Sequence, residues 1–150
     1  MNFLIVTGLS GAGKSMAVNA LEDIGFFCID NIPAGLLPRI LDFAQQGENQ
    51  LSRVAVVMDI RGLHSVQETN EALEALDEKK MPYDILFLDA SDAAIRRRYK
   101  ETRRVHPMTI SEGIPVSEAI TKERQILQPL WERAKYVIDT SLLSLSLIHI

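Results

Sequence analysis

The chain has a single cysteine, Cys28, so no disulfide can form within it. No apolar run reaches the length of a membrane-spanning helix. Residues 1–7 carry no positively charged start, so no secretory signal is expected. Together these absences predict a cytoplasmic setting. A global basic field is missing too: 16 Lys and Arg against 20 Asp and Glu give a net charge of -4, which argues against a whole-surface nucleic-acid binder. His64 and His149 have no ligand-like spacing to Cys28 or to each other, so no zinc site is expected. There is no Ser/His/Asp arrangement, internal repeat, low-complexity tract or interdomain linker. What remains is 150 residues of ordinary globular composition, 47% hydrophobic and 24% charged, enough for one domain with its own core.

Apolar, strand-like runs alternate with helix-like stretches. Strands are expected at 2–7, 26–30, 54–59, 84–89 and 135–139, each aliphatic on both faces as in a buried parallel sheet. Helices are expected from Lys14 to Ile24 with Gly25 closing the end, from Gly35 to Gln46, from Ser65 to Glu78, from Ser91 or Asp92 onward, and from Ser117 to Arg133. Ala17, Leu21 and Ile24 share one face of the first; Val66, Leu73 and Leu76 point inward from the third. Ile120, Leu127, Leu130 and Ala134 line one face of the last, which Pro129 is expected to kink or interrupt. Cys28 reads as inert packing, and Trp131 as core or as an anchor for further chain. The alternation predicts an α/β domain with a parallel five-stranded sheet flanked by helices, whose ligands lie beyond the carboxyl ends of the strands.

Residues Gly8, Leu9, Ser10, Gly11, Ala12, Gly13, Lys14 and Ser15 fill the pattern G-x-x-x-x-G-K-S/T completely. The apolar run Phe3–Val6 precedes them and a helical pattern follows, the context this phosphate loop needs. Its glycines allow successive N–H groups to aim inward, and the helix N-terminus behind adds partial positive charge. Lys14 would place a point charge on the β and γ phosphates, and Ser15 would offer its hydroxyl to Mg²⁺. A random chain of this length would match on the order of once in two hundred.

Three aspartates share that sheet edge. Asp59 ends an apolar strand and is placed to hold the Mg²⁺ shell; the plainer reading is a solvated strand-end carboxylate. Asp89 competes for the role, or helps to cap the next helix. Asp30 faces the acceptor side of the phosphate site, or forms an Asx turn with Asn31 before Pro33. Arg96, Arg97, Arg98, Lys100, Arg103 and Arg104 crowd nine residues, answered within that stretch only by Glu101. One helix face of this cluster suits closure over a transferring phosphoryl group; another suits RNA or an acidic protein; the plainer reading is a solvated helix. His106, before Pro107, reads as a helix-end residue rather than a catalyst.

The segments 8–15, Cys28–Pro33, Asp59–Gly62, Phe87–Ala90, Arg97–Arg104 with His106-Pro107, Glu123-Arg124 and Val137–Ser141 occur in the order found in the RapZ/YvcJ-like family of bacterial P-loop proteins, also known as RNase adapter proteins. The chain resembles that family over residues 1 to about 141. The resemblance implies a kinase-like P-loop NTPase domain that binds ATP and GTP and hydrolyses them slowly. It implies an ATP loop at 8–15 and a second nucleotide motif, associated with GTP, at Asp59, Ile60, Arg61 and Gly62. It also implies an adapter role in RNA-level regulation with a ribonuclease partner, carried largely by a C-terminal domain, and a homo-oligomer at full length. Relatives in Gram-positive bacteria are linked to competence. Family members run to about twice this length, and residues 142–150 depart from their pattern, so truncation or a frame change near residue 142 is expected.

Three functions therefore stand at this stage. They are a nucleotide-binding regulator with weak NTPase activity, a small-molecule kinase, and an interaction module that keeps the loop without hydrolysis. The assigned roles are Lys14, Asp59, Arg98 and Arg103 in catalysis, with Ser15 and Asp59 on the metal. Arg97 and Arg104 are further candidates for closing on the γ-phosphate.

Overall fold

The computed structural model describes residues 2–45, 53–59, 66–80 and 82–143. Ile60, Arg61, Gly62, His64, His149 and most of the atypical tail lie outside the described residues.

Five strands form one parallel sheet: β1 (Asn2–Gly8), β2 (Phe27–Ile29), β3 (Arg53–Val57), β4 (Asp84–Asp89) and β5 (Tyr136–Asp139), in the order β2-β3-β1-β4-β5. The expected parallel α/β architecture is the observed one. β1 is central because it is apolar on both faces: Ile5 and Val6 are fully buried, each burial contributing about 2 kcal/mol. Around the sheet lie α1 (Lys14–Asp23), α2 (Leu37–Gln45), α3 (Val66–Glu78), α4 (Asp92–Thr102), α5 (Pro107–Glu112) and α6 (Val116–Arg133). β1 and β3 are neighbours, yet the chain leaves β1 towards β2 and leaves β3 towards β4, in opposite directions across the sheet. The crevice beyond the β1 and β3 carboxyl ends is where such a sheet binds ligands.

Several local expectations need correction. Ala34–Leu36 is a 3₁₀ turn, so α2 starts at Leu37 rather than Gly35. Ile24 is exposed because α1 stops at Asp23, and Gly25 turns the chain with φ +98°. Val66, at the first position of α3, is exposed, while Leu73 and Leu76 are buried as expected. Trp131 is 44% exposed. α6 is not interrupted at Pro129. The missing amide deprives only the carbonyl of Gln125, an exposed residue, while Ile126, Leu127, Pro129 and Leu130 are buried and hold the helix to the core. α5 was not foreseen. Pro107 supplies its first turn and Gly113, φ +69°, its end, but six residues are too few for a periodic signal.

Gly8 joins this frame to the site. Its φ is +150°, and a Cβ there would lie 2.2 Å from the carbonyl oxygen of Leu88 on β4. Gly8→Ala is expected to destabilise the domain by about 2 kcal/mol. A chemical denaturation midpoint equal to wild type would show that the β1–β4 junction gives way more easily than this.

Candidate nucleotide site

The loop between β1 and α1 is anchored by its apolar members: Leu9 and Ala12 are fully buried, and the Ala12 N–H donates to Leu9 O at 3.0 Å. Gly13 sits at φ +104°, ψ +29°, a conformation that turns the chain into α1 without a side-chain cap. The first-turn N–H groups of α1, from Lys14 and Ser15 onward, therefore face out beyond the sheet edge, with the positive end of the helix behind them. Lys14 Nζ lies over the loop and donates to Gly8 O at 3.0 Å and Leu9 O at 3.1 Å.

Two cavities meet at Lys14, Ser15 and Asp59. The first, about 230 Å³, continues past Gly11 to Tyr99, Arg104 and Pro107. The second, about 200 Å³, runs the other way to Val18, Asn19 and Asp30. Asp59 is carried to this junction by β3: Val57 pairs with Val6, and the Met58 N–H donates to Val6 O at 2.9 Å. Asp30 borders the second lobe while also accepting the Asn31 N–H at 2.7 Å, with Asn31 at φ +61°. That bond reaches only the next residue rather than the second one on, so it is not the expected Asx turn. A larger cavity of about 720 Å³ opens between α3 and α6, but no loop residue lines it.

Asp89 stays out of both lobes. Its Oδ1 accepts from the Ala90 N–H at 2.8 Å and from Arg124 at 3.1 Å, and Arg124 also bonds Asp92 and Ala90 O. That carboxylate is committed to bracing the β4–α4 junction. Ser91 caps α4 by accepting the Ala94 N–H.

The arginine cluster divides differently from the expectation. Arg98 was placed over the γ-phosphate, yet it is 2% exposed and lies behind the loop. It donates to Gly11 O at 3.0 Å, to Thr140 Oγ1 at 3.1 Å and to Thr140 O. Burial pulls its pKa below the usual arginine value, and Arg97 adds to that shift. Arg103, also assigned to catalysis, occupies the left-handed end of α4 at φ +56°, is exposed and does not line either lobe. Arg97 likewise lines neither lobe. Arg104 does: its N–H donates to Tyr99 O at 3.1 Å and the residue borders the first lobe. Burial raises the Tyr99 hydroxyl well above the ordinary phenol range, and nearby Glu123 adds to the effect.

A phosphate loop at the end of the central strand, with an aspartate on the adjacent strand end, gives the domain its kinase-like P-loop character. Residues 1–149 match the model of the RapZ-like N-terminal domain. The chain belongs to the RapZ-like family. A curated relative from Agathobacter rectalis, named nucleotide-binding protein, is 48% identical over 141 residues, covering 94% of this chain and 48% of its own length. The chain thus spans about half the length of the curated relatives it matches. Among solved structures, a gluconokinase from Sinorhizobium meliloti superposes with a TM-score of 0.55 at 16% identity, covering 98% of this chain and 86% of its own. Shikimate kinase from Bacteroides thetaiotaomicron gives 0.55 at 16%, covering 99% and 92%. At that identity the likeness is one of fold.

Two residues do more at the site than the sequence predicts. His106 does not end α4; it caps the start of α5, its Nδ1 accepting the Met108 N–H at 3.0 Å. Glu123 on α6 is fully buried and bonds Ser10 of the loop. A signal existed for Glu123: it falls at helical spacing between Ile120 and Leu127, a charged residue on an apolar face.

Proposed function

We propose that this RapZ-like domain binds ATP and GTP in the first lobe and hydrolyses them slowly, as the nucleotide-responsive half of a regulatory adapter. The observation that carries the reading is the meeting of Lys14, Ser15, Asp59 and Arg104 around one cavity. Lys14 and the N–H groups of residues 11–15, apart from the Ala12 N–H that is held by Leu9 O, bind the β and γ phosphates, and Arg104 faces them from the opposite wall. Ser15 and Asp59 supply hard oxygen donors of the kind Mg²⁺ takes alongside phosphate oxygens and water. Mg²⁺, when bound, offsets the negative charge of the phosphates. Asp59 is the one carboxylate lining the first lobe among the described residues. With Asp59 given to the metal, the described residues lining the first lobe offer no second carboxylate to activate water, which fits slow turnover. Nucleotide recognition through Ile60, Arg61 and Gly62, an RNA and ribonuclease partner, and self-association belong to the same proposal and rest on the family resemblance.

The second lobe favours one other reading. Asn19 and Asp30 stand across Lys14 from the first lobe, as hydrogen-bonding groups for a hydroxyl-bearing phosphoryl acceptor would. A turnover assay with ATP and GTP, with and without small metabolites, separates these readings. Acceptor-independent phosphate release is the expected result. ADP formation only when an acceptor is present identifies a kinase, and no turnover despite binding leaves a non-hydrolysing module.

A further inference from the structure

Beneath the loop lies a polar cluster that phosphate contact alone does not require. Both carboxylate oxygens of Glu123 accept the Ser10 N–H, each at 3.1 Å, and Oε2 also accepts the Ser10 hydroxyl at 2.7 Å. His106 Nε2 lies 2.9 Å from Oε1. Because His106 Nδ1 accepts the Met108 N–H, the neutral ring carries its proton on Nε2 and donates it to Glu123. Three donors thus converge on one acceptor-only group, and Glu123 and His106 are both fully buried. The Ser10 amide is committed to Glu123, as the Leu9 amide is to Leu88 O on β4 at 3.2 Å. On the other side, His106 is flanked by Arg104, Val105 and Pro107, all of which line the first lobe together with Ser10. The His106 ring also packs against Tyr99, centroids 5.8 Å apart, and Tyr99 is a further lining residue.

We propose that Glu123 is a positioning residue for the nucleotide lobe, holding the phosphate loop through Ser10 and the opposite wall through His106 so that the two face each other at a fixed spacing. The assignment rests on the nucleotide reading above. Glu123 lines neither lobe. It acts by setting the loop curvature at Ser10 and the placement of the 104–107 segment that carries Arg104. A loss of either bond lets the walls move apart without removing any phosphate contact.

The test uses three substitutions in the full chain. Glu123→Gln keeps the shape but presents an amide donor to groups that are themselves donors. His106→Asn keeps an acceptor for the Met108 N–H but is too short to reach Glu123. His106→Gln reaches Glu123 with a donor but gives up the helix cap. Titration with ATP and GTP in the presence of Mg²⁺ is expected to show about tenfold weaker binding for Glu123→Gln and His106→Asn, the scale of one charge-assisted hydrogen bond. His106→Gln should bind within about twofold of wild type while melting at a lower temperature than His106→Asn. Wild-type affinity in folded Glu123→Gln and His106→Asn would overturn the proposal. So would affinity and melting temperature falling in step in both His106 variants, since that is what a packing role predicts. Hydrogen exchange at the Ser10 amide in ligand-free protein gives an independent readout: it should be slow in wild type and fast in Glu123→Gln. If wild type binds neither nucleotide, the functional reading fails, and equal Ser10 protection in wild type and Glu123→Gln would then sink the positioning role as well.

Discussion

Lys14→Ala is expected to weaken ATP and GTP binding by up to roughly a hundredfold while the fold survives. The two halves of that expectation have separate grounds. The Lys14 ammonium lies across the mouth of the loop, on the carbonyl oxygens of Gly8 and Leu9, at the point where the two lobes meet. A phosphate entering there gains a full positive charge at short range, and a charged hydrogen bond of about 2–3 kcal/mol corresponds to a change of up to about a hundredfold in affinity. Stability depends on it far less. The side chain is half-buried rather than core, and alanine suits the first turn of α1. Titration calorimetry reads the first effect and a thermal melt the second. Lys14→Arg should not restore binding, because a planar guanidinium cannot replace a compact point charge inside this loop. Unchanged titration in Lys14→Ala would remove the phosphate site from residues 8–15.

How much of this was legible in the sequence follows from how far apart the interacting residues lie. The phosphate loop is local: eight consecutive residues specify it, and the strand before and helix after it are set by short-range pattern. Asp59 was legible as the polar end of an apolar strand, and the sheet carries it to the loop by simple β1–β3 register. The underside of the loop was not legible in the same way. Ser10 and Glu123 are 113 positions apart, and Gly11 and Arg98 are 87 apart. Only the packing of α4 and α6 against the loop brings these pairs together. Even so, both helices mark the residue concerned. Arg98 falls on the buried face with Ala94, Ile95 and Tyr99, as Glu123 does with Ile120 and Leu127. A charge on an inward face has to find a partner, so the rule that would have moved Arg98 from lid to brace was available. The density of charge at 96–104 outweighed the apolar neighbours of Arg98 in setting the expectation of a lid. Arg104, by contrast, lies past the end of α4, where helical spacing no longer applies, and only the turn at Arg103 decides that it borders the lobe.

Arg98→Ala is expected to cost about 3 kcal/mol of stability, more than any other change in the cluster. The guanidinium spans the gap between the phosphate loop and the end of β5. It donates to Gly11 O on one side and to Thr140 O and Oγ1 on the other. Thr140 is itself fully buried and donates its hydroxyl to Ala12 O at 2.6 Å, while its N–H donates to Asp89 O at 2.9 Å. Removing Arg98 strands the buried Thr140 carbonyl, at about 1–3 kcal/mol, and leaves the part-buried Gly11 carbonyl, which borders the first lobe, to find water instead. Part of that loss is offset, because a buried charge that was costly to desolvate has gone with the side chain. For a domain of this size the remainder lowers the melting temperature by roughly 10 °C. Arg98→Lys should recover only a fraction, since a single ammonium cannot bridge the loop and the strand end together. Arg97→Ala and Arg103→Ala, both on exposed residues, should melt within about 2 °C of wild type. If Arg98→Ala melts with them and instead loses turnover alone, Arg98 acts on the nucleotide after all and the brace is not its role. If the melt falls as expected, the residue nearest in sequence to a phosphate lid is what keeps the loop joined to the strand where β5 ends.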